Sequence, residues 1–248
     1  MDKLKKINFR DYGVTIGFVV LCILISIASP AFLSKRNILN LLRQSSIIGI
    51  ISAGMTFVII SGNFDISVGA VAALSGAITM KLATLGVPLV LSMVIAIAVC
   101  SGIGFINGIF VSKVGVPSLI ATMAMVTIVR GLLLMLTGGY PITENFPLLD
   151  FLGNEYLLGI PVPVILFFIV VVIAHIVLTK TKFGRHVFSV GGNQEASKLN
   201  GINVDGYKIK VFIINAILAG IAGIVVTGRL GTATAIAGEG YDMDAISS

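Results

Sequence analysis

The sequence predicts an all-α protein, a polytopic bundle of membrane helices, on three observations. Of its 248 residues 56% are hydrophobic and only 11% charged, with a mean hydropathy of +1.06, where a soluble domain carries about 25% charge. The apolar residues gather into seven runs, most of them near the ~20 residues that cross ~30 Å of hydrocarbon. The Lys and Arg residues collect at the ends of those runs, so topology explains the net charge of +6. No basic patch interleaved with aromatics points to nucleic acid. Residues 1–248 read as a single transmembrane domain.

The first run, Gly13 to Ala28, follows a basic stretch, Met1 to Arg10, that holds Lys3, Lys5, Lys6 and Arg10. This orients the N-terminus to the cytoplasm. Ser26 and Ala28 would also suit a signal peptide, but the many spans that follow favour an uncleaved first helix. Leu41–Ile60, Ile66–Ala83, Val87–Val111, Ser118–Thr137, Val162–Leu178 and Val211–Thr227 complete the set. Six crossings from a cytoplasmic start place Thr179–Lys210 inside, where Lys180, Lys182, Arg185, Lys198, Lys208 and Lys210 face only Glu195 and Asp205. The loop Gly138–Ile160 then falls outside, with Glu144, Asp150 and Glu155 and no Lys or Arg. One loop disagrees: Ser34–Arg43 should be external yet contains Lys35, Arg36 and Arg43, for which snorkelling or an interfacial segment is the available reading.

Small residues at four-residue spacing, such as Gly69, Ala73 and Ala77, Gly104 and Gly108, and Ala219 and Gly223, predict helix backbones in close approach. Cys22 and Cys100 each lie inside an apolar run, so neither a disulfide framework nor a CxxC motif is available.

Polar groups at membrane depth are costly and are the default functional candidates. They are Asn107, Arg130 and Asn215, together with the break Ser61–Gly69, in which Asn63, Asp65 and Ser67 stand. Asp65 or Ser67 can cap the following helix, whose N-terminus would offer N–H donors to a cavity; a tight turn between two helices is the plainer alternative. These six residues are the expected lining of a transport path. Arg130 must meet an acid, helix-end carbonyls or water, whereas His175, near the end of its run, reads as an interfacial histidine. There is no GxxxxGK[ST] loop, no His pair at metal spacing, no GxSxG elbow and no carboxylate cluster. No catalytic residue, metal or cofactor is therefore expected, and ATP hydrolysis would belong to another chain.

Within Thr179–Lys210 one short helix is predicted. Asn193 caps it, Glu195 suits its first turn and Lys198 its last, and Gly201 supplies the left-handed residue that ends it. Two turns are marginal alone in water, which points to a protein partner under the membrane; an ordinary basic juxtamembrane loop is the alternative.

Thr181, Gly184, Arg185, Gly191, Gly192, Asn193, Glu195, Ala196, Gly201 and Ile202 resemble the cytoplasmic coupling segment of ribose-type sugar permeases in ATP-binding-cassette importers. Ser197 stands where a second alanine is usual and Asn200 where a serine is usual. The break is also similar to that family's Gly-Gly-Ile-Asp-Leu-Ser-Val-Gly: Asn63 and Phe64 replace the second glycine and the isoleucine, while Asp65, Ser67 and Gly69 are kept. The related branched-chain amino-acid permeases have Asn-Phe-Ala-His-Gly there. The resemblance runs from about Asn37 to Ser248. It implies a multi-pass subunit in a bacterial inner membrane that imports a ribose-like monosaccharide by alternating access. It also implies a second permease copy, a cytoplasmic ATPase that docks on Gly192, Asn193, Glu195, Ala196, Gly201 and Ile202, and an extracytoplasmic sugar-binding protein. Family members run on for several membrane segments after Tyr241–Ile246, where this sequence stops, as a truncated product, a fragment or a split permease would. The rival is a secondary transporter or channel that needs no ATPase, although no inverted repeat is visible. A non-transporting scaffold would explain the small-residue packing but not the capped loop.

Overall fold

The computed structural model describes residues 13–248. The basic stretch Met1–Arg10, from which the cytoplasmic N-terminus was expected, lies outside them. Each expected apolar run is a helix: α1 (Gly13–Ala28), α2 (Lys35–Ile60), α3 (Val68–Thr84), α4 (Leu89–Ile109, continued by a π turn, Phe110–Val114), α5 (Ser118–Thr137), α7 (Val162–Lys180) and α10 (Val204–Leu230). Five of these are long and apolar enough to cross a membrane; α1 and α3 are shorter, and the 17 residues of α3 rise about 26 Å. The protein is a multi-pass membrane protein. Pro88, Pro117 and Pro161 stand immediately before α4, α5 and α7, because proline lacks an N–H and is tolerated only where a helix begins.

The chain forms two units, one through Leu42 and one from Arg43 to Ser248. The first holds α1, whose long apolar side chains are exposed. The second is built on α10, packed against α3 and α4. Val211, Phe212, Ala216, Ala219 and Ala222 of α10 are buried there. The small residues act as expected: a Cβ on Gly223 would collide with the Ala72 carbonyl, and one on Gly104 would meet Ala216. Close approach brings polar edges together as well, so the Ser75 hydroxyl donates to the Gly220 carbonyl at 2.9 Å. The outer sides of α5 and α7 expose Ile120, Met123, Ile128, Phe168, Ile169 and Ile173, as surfaces solvated by lipid do.

The loops hold more structure than the sequence suggests. Gly138–Ile160 contains the amphipathic helix α6 (Pro147–Asn154), with Leu149 buried. It also contains strand β1 (Ile142–Thr143) and the short hairpin of β2 (Tyr156–Leu157) and β3 (Ile160–Pro161). β1 pairs antiparallel with β4 (Thr232–Ala233), just beyond α10. Thr179–Lys210, expected as a polar interruption with one short helix, contains α8 (Lys182–Gly192), α9 (Gln194–Leu199) and the first turns of α10. The buried Gly184, Val187 and Val190 form a stripe at helical spacing, which the flanking cations and glycines disguise. Beyond α10 the chain doubles back, so that Gly238 lies on Gly69 near the start of α3, and ends in α11 (Tyr241–Ser247).

Arg43, one of the cations that contradicted the charge rule, has a structural employment. Its Nη2 donates to the Asn154 carbonyl at 2.9 Å, and its guanidinium lies 4.8 Å from the centre of the Tyr156 ring. A cation at the C-terminal end of α6 is favoured by the free carbonyls there.

Candidate functional site

The break between α2 and α3 exists because Gly62 takes a left-handed φ of +79°, after which the backbone N–H groups that leave the helix ladder need other partners. It does so internally. Phe64 N–H donates to Ser118 Oγ at 3.1 Å and Ile66 N–H to Thr122 Oγ1 at 3.2 Å, both on the first turns of α5. Asp65 Oδ1 accepts from the Ser67 N–H at 2.9 Å and from the Ser67 hydroxyl at 2.6 Å. The N–H groups of residues 64, 66 and 67, in the break ahead of the helix, are thus taken by side chains, while Gly69 and Ala70, in the first turn of α3, line a cavity.

Asp65 is 1% exposed and reaches further. Its Oδ2 accepts from Asn215 Nδ2 of α10 at 3.0 Å, and Ser67 Oγ accepts from Asn107 Nδ2 of α4 at 3.0 Å. Four of the six expected path residues, Asp65, Ser67, Asn107 and Asn215, therefore form one buried network that ties the start of α3 to α4 and α10. The Oδ1 atoms of Asn107 and Asn215 are buried without a hydrogen-bond partner. Asn63 stands apart and folds back on Ser61, donating to its carbonyl and its hydroxyl at 3.0 Å each.

Arg130 is separate from this network. Its Nη1 donates to the carbonyls of Ala235 and, at 3.0 Å, Ala237, so the partners are carbonyls of the returning segment rather than of a helix end. Beside it a cavity of about 500 Å³ is lined by Ile66, Gly69, Glu239 and Asp242 among others.

The predicted short helix is α9. Asn193 Oδ1 accepts from Ala196 N–H at 2.9 Å, and Glu195 and Lys198 occupy the first and last turns. Gly201, at φ +77°, ends it: Gly201 N–H donates to Lys198 O and Ile202 N–H to Ser197 O, the pairing that satisfies the last carbonyls of a helix closed by a left-handed residue. Gly192, Asn193, Glu195, Ala196 and Gly201 are exposed and Ile202 half-buried. Internal contacts also hold the helix, since Ser197 Oγ lies 2.8 Å from Ser189 Oγ of α8 and Lys208 Nζ donates to Gln194 Oε1 at 3.0 Å. The α8 end of this pair sits against the break, because a Cβ on Gly191 would collide with the Ile60 carbonyl. A chain of rings, Phe57–Phe183 at 6.4 Å, Phe183–Tyr207 at 5.6 Å and Tyr207–His186 at 5.0 Å, joins α2, α8 and α10 on the same side.

Residues 37–248 match the family model described as branched-chain amino acid transport system / permease component. The chain belongs to this family. Among similar relatives, the ribose import permease protein of Haemophilus influenzae is 40% identical, over 94% of this chain and 73% of that one. That of Bacillus subtilis is 41% identical, over 98% and 78%. The D-allose transport system permease protein of Escherichia coli is 36% identical, over 98% and 77%. No solved structure matches. Like these relatives, this permease is a transport subunit and not an enzyme.

Several residues around the permease's site escaped sequence reading. Ser118 and Thr122 lie inside an apolar run where hydroxyls are commonplace. Glu239 and Asp242 were legible as two acids in a mostly apolar stretch, but nothing in the sequence places them beside Arg130.

Proposed function

We propose that this permease is the membrane subunit of an ATP-driven importer that moves a ribose-like monosaccharide. The observation that carries the proposal is the position of α8 and α9: a capped, largely polar pair seated on Ile60 and Ser61 at the mouth of the break. A partner that displaces α9 pulls α8 across the end of α2, and the Asp65 network passes that displacement to α4 and α10. That partner is a cytoplasmic ATPase docking on Gly192, Asn193, Glu195, Ala196, Gly201 and Ile202. Leu199, 90% exposed on α9, adds an apolar contact for it. The substrate class follows from the relatives, whose names specify ribose and D-allose, and from the retained Asp65, Ser67 and Gly69. Arg130 and the groups around Asp65 border the path, and a second copy of this chain supplies its other wall. An extracytoplasmic sugar-binding protein delivers the sugar to the Gly138–Ile160 side, and the N-terminus faces the cytoplasm of a bacterial cell.

Reconstitution with an ATPase and a sugar-binding protein tests this. ATP-dependent uptake of labelled D-ribose is expected. Uptake of equal rate in vesicles without any ATPase would replace the importer by a secondary transporter.

A further inference from the structure

The cavity beside Arg130 lies between the first turn of α3, the middle of α5 and residues 235–242. At about 500 Å³ it is within the range of roughly 300–1,000 Å³ typical of small-molecule sites. Its walls carry three charged side chains, Arg130, Glu239 and Asp242, beside Val126, Leu134 and Ile236. Arginine has five N–H donors, and the two on Nη1 are held by Ala235 and Ala237. Among the described residues no hydrogen bond takes the Nε or Nη2 donors of Arg130, and the two carboxylates that share the cavity wall with it only accept.

We propose that this cavity is a sugar-binding station, in which Glu239 and Asp242 accept from hydroxyls of a neutral monosaccharide and Arg130 donates to others. The proposal rests on the permease reading and adds the residues that recognise the substrate. A sugar hydroxyl both donates and accepts, so a wall with separate donors and acceptors suits a polyol. Val126, Leu134 and Ile236 offer apolar surface to its C–H face. Two acids against one arginine repel an anionic sugar phosphate. Because Arg130 also holds the carbonyls of the returning segment, it links occupancy of the station to the placement of residues 235–237.

The chain contains no tryptophan, so Tyr241→Trp, an aromatic-for-aromatic change next to Asp242 but outside the cavity lining, gives a single fluorescent reporter in the purified full chain. Titration with D-ribose should give a saturable change in emission. E239Q and D242N should each weaken the apparent affinity by about tenfold, the usual cost of losing one charged hydrogen-bond acceptor, while size-exclusion profiles stay those of the parent. The proposal is overturned if ribose gives no saturable change, if the E239Q/D242N double variant binds as the parent does, or if L-leucine saturates the reporter instead of ribose. ATP-driven ribose uptake that persists unchanged in the double variant sinks the station and leaves the permease reading standing. Absence of uptake by the reconstituted parent sinks the permease reading and takes the station with it.

Discussion

Asp65 is the residue at which three helices are joined. Three donors converge on its buried carboxylate, the Ser67 N–H, the Ser67 hydroxyl and Asn215 Nδ2. Replacing it by alanine strands them, at roughly 1–3 kcal/mol for each buried group left unsatisfied. Asp65→Ala should insert normally, lower the apparent Tm in detergent by several degrees and reduce sugar uptake. Wild-type Tm together with wild-type uptake would reduce Asp65 to a dispensable local turn. Asn215 extends the argument. Its Oδ1 lies where a Cβ on Gly54 would come within 2.6 Å, so Gly54→Ala pushes on the same network from α2. A fall in Tm for Gly54→Ala that is not additive with that of Asn215→Ala would demonstrate the coupling; strict additivity would refute it.

At the scale of elements, α9 shows where an energetic argument from sequence goes astray. A two-turn helix needs contacts beyond its own hydrogen bonds, and the sequence shows no intramolecular source, so it points to a partner as the remedy, with an ordinary basic juxtamembrane loop as the alternative. The structure supplies part of the remedy within the chain, because α8, unseen as a helix, brings Ser189 to Ser197, and α10 starts early enough to bring Lys208 to Gln194. What remains for a partner is the exposed face of α9. Gly201→Val places a β-branched residue at φ +77°, costing about 1–2 kcal/mol. Glu195→Lys sets a positive charge against the positive end of α9. Both should insert normally yet lose association with the ATPase in pull-down and lose uptake. Retention of both activities in both variants would remove α9 from coupling.

At the scale of the whole molecule, two contacts place loops at opposite ends of α2. Arg43, early in α2, reaches α6, and Ile60, at its end, meets α8. The acid-bearing loop around α6 and the basic segment around α8 and α9 therefore lie on opposite sides of the bundle, as the distribution of charge requires. With Cys22 and Cys100 replaced by alanine, a cysteine at Asn145 should react with a membrane-impermeant maleimide added outside, and one at Lys198 only after the inner face is opened. The reverse pattern would invert the proposed orientation.

The seven apolar helices, the capped ends of α9 and the polar character of the break were legible in the sequence, because hydropathy, charge distribution and cap chemistry act over short separations. The length of a run, the cations beside it and Asn193 three residues before Ala196 need no knowledge of neighbours. Only the tertiary structure decided the partners of the polar groups. Asp65 and Asn215 are 150 residues apart, and Arg130 and Ala237 are 107 apart; no local rule connects them. The early start of α10, the helix α8 and the employment of Arg43 were hidden for the same reason. Inside the bilayer nearly every residue of a span is apolar, so the face that turns inward is set by small residues meeting across helices, and that meeting is settled only when the bundle packs.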